Sequence, residues 1–206
     1  MKNTLLTARQ ALRPQQGASL IMVMIVLTIV SILGIGAIQI SMMSERGARN
    51  DRDQQMAWQG AEAALIDAQI DIDGSSTSGN ITSSRSSIFK PQPLTFNFVD
   101  GCAGAGNSLG LCLPSALGKP VWLLVNLADA TSAAQTTEYG AFTGRTFQAG
   151  GAGIQPAQKP RYIIELLTDP DIALKGSYVY RVTAMGFGPR QDIQAVLQII
   201  YRPNPT

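Results

Sequence analysis

Histidine is missing from all 206 residues, and that one gap removes every catalytic triad built on imidazole and most zinc sites. Cysteine is nearly missing: Cys102 and Cys112 are too few for a cysteine-rich metal cluster, and ten residues apart they do not form a C-x-x-C redox motif. Such a pair reads as a disulfide or as two free thiols. Charge is sparse. Only 15% of residues are Asp, Glu, Lys or Arg, 16 basic against 14 acidic, and no basic stripe exists that could follow a phosphate backbone. No nucleic-acid partner is expected. There is no nucleophile elbow, and Gly150-Gly151-Ala152-Gly153 is not followed by the Lys-Ser/Thr of a phosphate loop. Asp71 and Asp73 alone do not make a calcium loop. The expectation is a non-enzyme without metal or cofactor. Yet the mean hydropathy is +0.10, high for a soluble chain, so the apolar excess must be concentrated somewhere.

It is concentrated near the N-terminus. No charge occurs between Arg13 and Glu45, and the core of that stretch, residues 20–40, reads LIMVMIVLTIVSILGIGAIQI. About 20 helical residues cross a bilayer core of roughly 30 Å. Thirteen of these residues are Leu, Ile or Val, which together favour insertion by about 4 to 8 kcal/mol. Thr28, Ser31, Gly34, Gly36 and Gln39 offset part of this, and none is ionisable. Lys2, Arg9 and Arg13 precede the segment without an acid, whereas Glu45, Arg46, Arg49, Asp51, Arg52 and Asp53 follow it with mixed signs. The positive-inside tendency therefore puts residues 1–16 in the cytoplasm and the remainder across the membrane. A secretory signal fits poorly, because the apolar run is long and no small-x-small cleavage site clearly follows. A plain signal-anchor is the other bland reading.

The junction Gln15-Gln16-Gly17-Ala18-Ser19-Leu20-Ile21 joins a short basic leader ending in Gly directly to the apolar helix. It resembles a prepilin leader. That resemblance implies cleavage by prepilin peptidase between Gly17 and Ala18, and methylation of the new Ala18 amine. Gly at the cut lets the backbone lie extended in a tight cleft. The chain departs from most major pilins at the fifth residue after the cut, where Met22 stands in place of Glu. A carboxylate in hydrocarbon is costly unless paired. A subunit at the filament tip has no neighbour above it to pair with, so a tip or near-tip position is one reading of Met22. The other is drift in a subunit that uses different contacts.

Beyond residue 40 the helical pattern continues to a sharp stop at Gly74, followed by Ser75, Ser76, Thr77, Ser78 and Gly79. Trp58, Ala61, Leu65, Ala68 and Ile72 recur at three- and four-residue spacing and are expected to pack the helix on a sheet. One helix over 18–73 follows, membrane-spanning over 20–40 and amphipathic over 41–73, with a leader over 1–17 and an exported globular domain over 74–206. The charged residues 45–53 read as a solvated helix face or as inter-subunit pairing.

In the globular part, residues 94–99 (LTFNFV) read as a short strand and residues 121–127 (VWLLVNL) as strand or helix, with strand preferred. Residues 128–159 read as a long surface loop. Residues 161–168, 177–186 and 192–202 alternate as three strands of an antiparallel meander, with a turn over 186–191. Export favours a bridge between Cys102 and Cys112, which would stabilise by roughly 2–3 kcal/mol. The whole is an α+β arrangement, a long helix laid on an antiparallel sheet.

Two stretches sharpen the resemblance. SERGARNDRDQQMAWQGAEAAL is similar to the N-terminal motif of PilX-type minor pilins, matching at Glu45, Arg46, Asn50, Ala57, Ala61, Glu62, Ala63, Ala64 and Leu65, with Gly60 where Ala is more usual. YRVTAMGFGPRQDIQAVLQIIYR resembles the closing strands of the same family. The resemblance implies the type IV pilin fold and a minor pilin that joins or primes a type IV pilus, serving adhesion and twitching motility. It also implies other minor and major pilins and a PilY-type tip adhesin as partners. A tip pseudopilin of a type II secretion system is the alternative; those carry a larger helical insert and paired calcium-binding carboxylates, which this sequence lacks.

Overall fold

Helix α1 (Ala18–Asp73) is 56 residues of unbroken helix in the computed structural model, which describes residues 18–75, 80–89, 92–116, 118–151, 153–169 and 178–203. The sequence placed the leader and its cleavage glycine over 1–17, which lies outside the described residues. The chain divides into two compact units, residues 1–48 and 49–206. The C-terminal part of α1 thus belongs with the sheet rather than with the apolar segment. Ala-rich composition and straight-chain residues sustain the helix there. Gly74 ends it: at φ +81° it donates its N–H to the Ile70 carbonyl at 2.9 Å, and a Cβ at that position would press on Ser86.

Five strands form one mixed sheet: β1 (Leu111–Cys112), β2 (Thr137–Glu138), β3 (Arg161–Thr168), β4 (Tyr178–Phe187) and β5 (Gln194–Tyr201). The meander β3-β4-β5 is antiparallel, with Tyr162 opposite Ala184 and Ala184 opposite Leu197. Two-residue β1 runs parallel to β3, and β2 pairs with β3 antiparallel. β5 is the last strand of the order β1-β3-β4-β5.

Period-two alternation separates two faces. On one, Tyr162, Ile164, Leu166, Tyr180, Val182 and Ala184 join Ala64, Leu65, Ala68 and Ile72 of α1, with Ile88, Phe89 and Phe98 closing the end. On the other, Ile163 packs on Cys102, Cys112, Val121, Val125 and Leu127. Each fully buried large side chain contributes about 1.5–3 kcal/mol.

Several sequence expectations are corrected. Trp58 is half exposed and lies off the packing stripe, where Ala57 is fully buried instead. The reason is clearance. Gly186 of β4 sits under this part of α1, and a Cβ on it would overlap the Ala57 carbonyl oxygen and the Ala61 nitrogen. Only Ala57, Gly60 and Ala61 fit at such an approach, so the indole is turned aside and donates to Glu62 Oε1 at 2.9 Å. Residues 94–99 are not a strand: a 3-10 turn over Thr95–Asn97 tucks Phe98 into the core against Phe89 and leaves Phe96 exposed. Residues 121–127 likewise form a 3-10 turn, Val121–Leu123, that caps the sheet rather than joining it. The apolar run there is drawn to cover Ile163, with Leu123 and Leu124 left outside. Residues 128–159 are not simply surface loop, since Ala134, Thr136, Thr137, Tyr139 and Thr143 are buried and β2 lies among them. The turn after β4 begins later than expected, because Gly186 and Phe187 still belong to the strand.

Candidate functional site

Two features set this chain apart chemically. The first is the N-terminal part of α1. It contains a window of mean hydropathy 2.8 with none of it buried, long and apolar enough to cross a membrane by length and composition. Every large apolar side chain from Leu20 to Met43 exposes more than half its surface. Two of its hydroxyls are closed off internally: Thr28 Oγ1 donates to the carbonyls of Ile25 and Met24 at 2.8 and 2.9 Å, and Ser31 Oγ to Leu27 at 2.7 Å. Internal satisfaction of polar groups is what a hydrocarbon surrounding demands. Met22 lies on this surface, 70% exposed, and Gly34 and Gly36 have open space around them. Ala18 is the first of the described residues and is helical.

The second feature is a buried ionic clamp within residues 49–206. The carboxylate of Asp71, on the last turns of α1, accepts from Arg85 Nε at 2.9 and 3.0 Å and from Arg85 Nη2. It also accepts from Ser83 Oγ at 2.7 Å and Tyr162 Oη at 3.0 Å. Both charged side chains are fully buried. Arg85 Nη1 donates onward to the carbonyls of Leu109 and Asn107 at 2.7 and 3.1 Å, and the guanidinium lies 3.6 Å from the Phe142 ring centroid. One cation thereby ties the helix to three separate loops. Burial and the adjacent Asp71 carboxylate drive the Tyr162 hydroxyl well above its ordinary pKa, so Tyr162 remains a donor.

One turn earlier, Asp67 is also fully buried. It accepts from Gly140 N–H at 2.8 Å and Thr143 Oγ1 at 2.5 Å and faces Arg145 Nη1 at 3.5 Å. Burial raises its pKa above the usual carboxylate value; the Thr143 and Gly140 hydrogen bonds and Arg145 act against that rise. Neither aspartate was singled out by its sequence as a packing residue. The signal that could have found them is their spacing from Ala64, Ala68 and Ile72 on the same stripe.

Of the residues expected at the helix–sheet contact, Ala61, Leu65, Ala68 and Ile72 come together on the sheet and Trp58 does not. Cys102 and Cys112 are bonded, with Cα atoms 4.4 Å apart, and the bridge sits in the second core against Ile163. Among the described residues no group of three or more His, Cys, Asp or Glu could hold a metal.

A long N-terminal helix with an uncovered apolar half, laid over a sheet dominated by an antiparallel meander, defines the type IV pilin class of fold. The comparisons with known families agree and narrow it. Residues 16–65 match the PilX N-terminal family, and residues 105–203 match the type IV pilus assembly protein PilX C-terminal family. The chain belongs to the PilX family of type IV pilus assembly proteins. It is a structural component of pilus assembly that works with other pilus components. No match is found among curated proteins or among solved structures.

Proposed function

We propose that this chain is a minor pilin incorporated at or near the tip of a type IV pilus, where it primes assembly and supports adhesion and twitching motility. The observation that carries this reading is the fully uncovered apolar part of α1. An apolar rod with no intramolecular cover requires lipid before assembly and neighbouring helices afterwards. Met22 supports the tip position, since a subunit without a carboxylate there has nothing to offer the terminal amine of a neighbour.

In this reading prepilin peptidase cuts after Gly17, Ala18 becomes the methylated N-terminus, and the subunit waits in the inner membrane with its leader end cytoplasmic and residues 74–206 periplasmic. Other minor and major pilins and a PilY-type adhesin are its partners at the tip. Mass spectrometry of the mature N-terminus tests the processing step: a peptide beginning with methylated Ala18 is expected. Gly17→Trp should abolish that product and the chain's recovery in sheared pili. A mature chain starting near residue 45 would overturn the reading. Immunolabelling spread evenly along the shaft would overturn the tip position alone.

A further inference from the structure

The two sides of the sheet are finished differently. Beside β3 the ladder ends in β1 and β2, each only two residues long. Short edge strands are a common way to blunt an edge against further pairing. At the other side β5 runs eight residues, QAVLQIIY, with no charge, proline or glycine. Its outer-face side chains Val196 and Ile200 are 47% and 60% exposed. Its inner-face residues Leu197 and Ile199 are only partly buried where they meet the core under α1. Among the described residues no strand pairs with its free side. Charged side chains, prolines and bulges protect such edges elsewhere, and none is present here.

We propose that the free edge of β5 accepts an extended, uncharged segment of another protein of the pilus assembly, which adds a strand to this sheet. The proposal rests on the pilin reading and names its docking surface. The carbonyl of Gln194 at the start of this edge already accepts from Gln54 Nε2 of α1 at 3.4 Å, and beyond it the outward N–H and C=O groups of Val196, Gln198 and Ile200 are matched in kind only by another extended backbone. The apolar residues on both faces specify the visitor. Its alternate side chains would meet Val196, Gln198 and Ile200 on one side and cover Leu197 and Ile199 on the other.

A second copy of this chain is the other candidate occupant, and symmetry argues against it. An antiparallel β5–β5 pair is a closed two-fold contact, whereas a filament grows through head-to-tail contacts. A parallel pair of identical edges would need a one-residue offset for its pleats to match, which a two-fold axis cannot supply.

The test uses the full chain in piliated cells, with the photo-crosslinker p-benzoylphenylalanine at Val196, at Ile200 and, as control, at exposed Phe96. Adducts from the first two positions should map to one segment of one other assembly protein, displaced by about four residues as the probe moves by four, the stepping of paired strands. Phe96 should give none. With the probe at position 200, Val196→Lys should lower the adduct at least tenfold without shifting the unfolding midpoint. Adducts on a second copy, adducts scattered over several segments, or yields no higher than at Phe96 would overturn the proposal. If the chain is recovered in sheared pili, such results leave the pilin reading standing; its absence from sheared pili would overturn that reading as well.

Discussion

Arg85 and Asp71 are buried completely against each other, fourteen residues apart, with the guanidinium gripping the carboxylate on one side and the carbonyls of Asn107 and Leu109 on the other. Breaking a buried pair strands a charge in low dielectric, which typically destabilises by about 3–5 kcal/mol. Asp71→Leu is therefore expected to lower stability by that amount in urea unfolding of the detergent-solubilised chain. Asp71→Leu with Arg85→Met should lose less than the two single losses combined, because the double variant leaves no lone charge.

Gly186 and Gly60 face each other across the helix–sheet contact, but their tolerance differs. A Cβ on Gly186 would overlap backbone of α1, while one on Gly60 would rest 3.5 Å from the Gly186 Cα. Gly186→Ala should destabilise by about 1–3 kcal/mol through forced separation of helix and strand. Gly60→Ala should be neutral or stabilise by a few tenths of a kcal/mol, as alanine is the better helix former. Thermal unfolding of the two variants side by side checks the contrast.

Trp58 and Ile72 exchange the importance that a hydrophobicity reading would assign them. Ile72 is fully buried and Trp58 half exposed. Ile72→Ala should cost about 2–5 kcal/mol, and Trp58→Ala under about 1 kcal/mol. Chemical denaturation of each variant measures the difference.

Asp67 supplies a pH dependence. Burial raises its folded pKa above the ordinary value of 3.8, so between 3.8 and that raised value the folded state holds more proton than the unfolded one. Its contribution is fully present below 3.8 and is lost as pH rises through the folded value. The stability of Asp67→Asn relative to the parent should therefore increase with pH across that window and be flat on either side. Urea midpoints from pH 3 to 7 provide the measurement, and a relative stability that falls with pH would refute the assignment.

Opening the Cys102–Cys112 bridge should lower stability by about 2–3 kcal/mol. The loss should concentrate in the second core around Val121, Val125 and Ile163, where the bridge packs. Hydrogen exchange of oxidised and reduced protein would show it as faster exchange around residues 121–127, with the α1–β4 contact little changed.

Long elements were legible because their periodicity is sustained. α1 is helical through all of its described residues and stops at Asp73 as the pattern implied, and β3, β4 and β5 fall within two residues of the expected bounds. Short apolar runs were not legible. LTFNFV and VWLLVNL carry strand-like composition, yet too few residues to separate pairing from capping. The clamp was hidden for a different reason. Asp67, Asp71 and Arg85 look like solvated charges one at a time, and only the meeting of α1 with loops far along the chain makes them interior. Trp58 misled because size and apolarity argue for burial, whereas close backbone approach at Gly186 selects for the smallest side chains.

The hydrogen bonds between α1 and β5 span 140 residues from Gln54 to Gln194 and 128 from Asp73 to Tyr201. The amphipathic stripe therefore leaves the ribosome long before the strands that shelter it. During synthesis the chain carries two adhesive surfaces, one destined for lipid and one for its own last strands. Loop closure over such separations is slow compared with local helix formation, so each nascent molecule passes through an interval in which a bilayer or a holding chaperone must keep the second surface from the wrong neighbour.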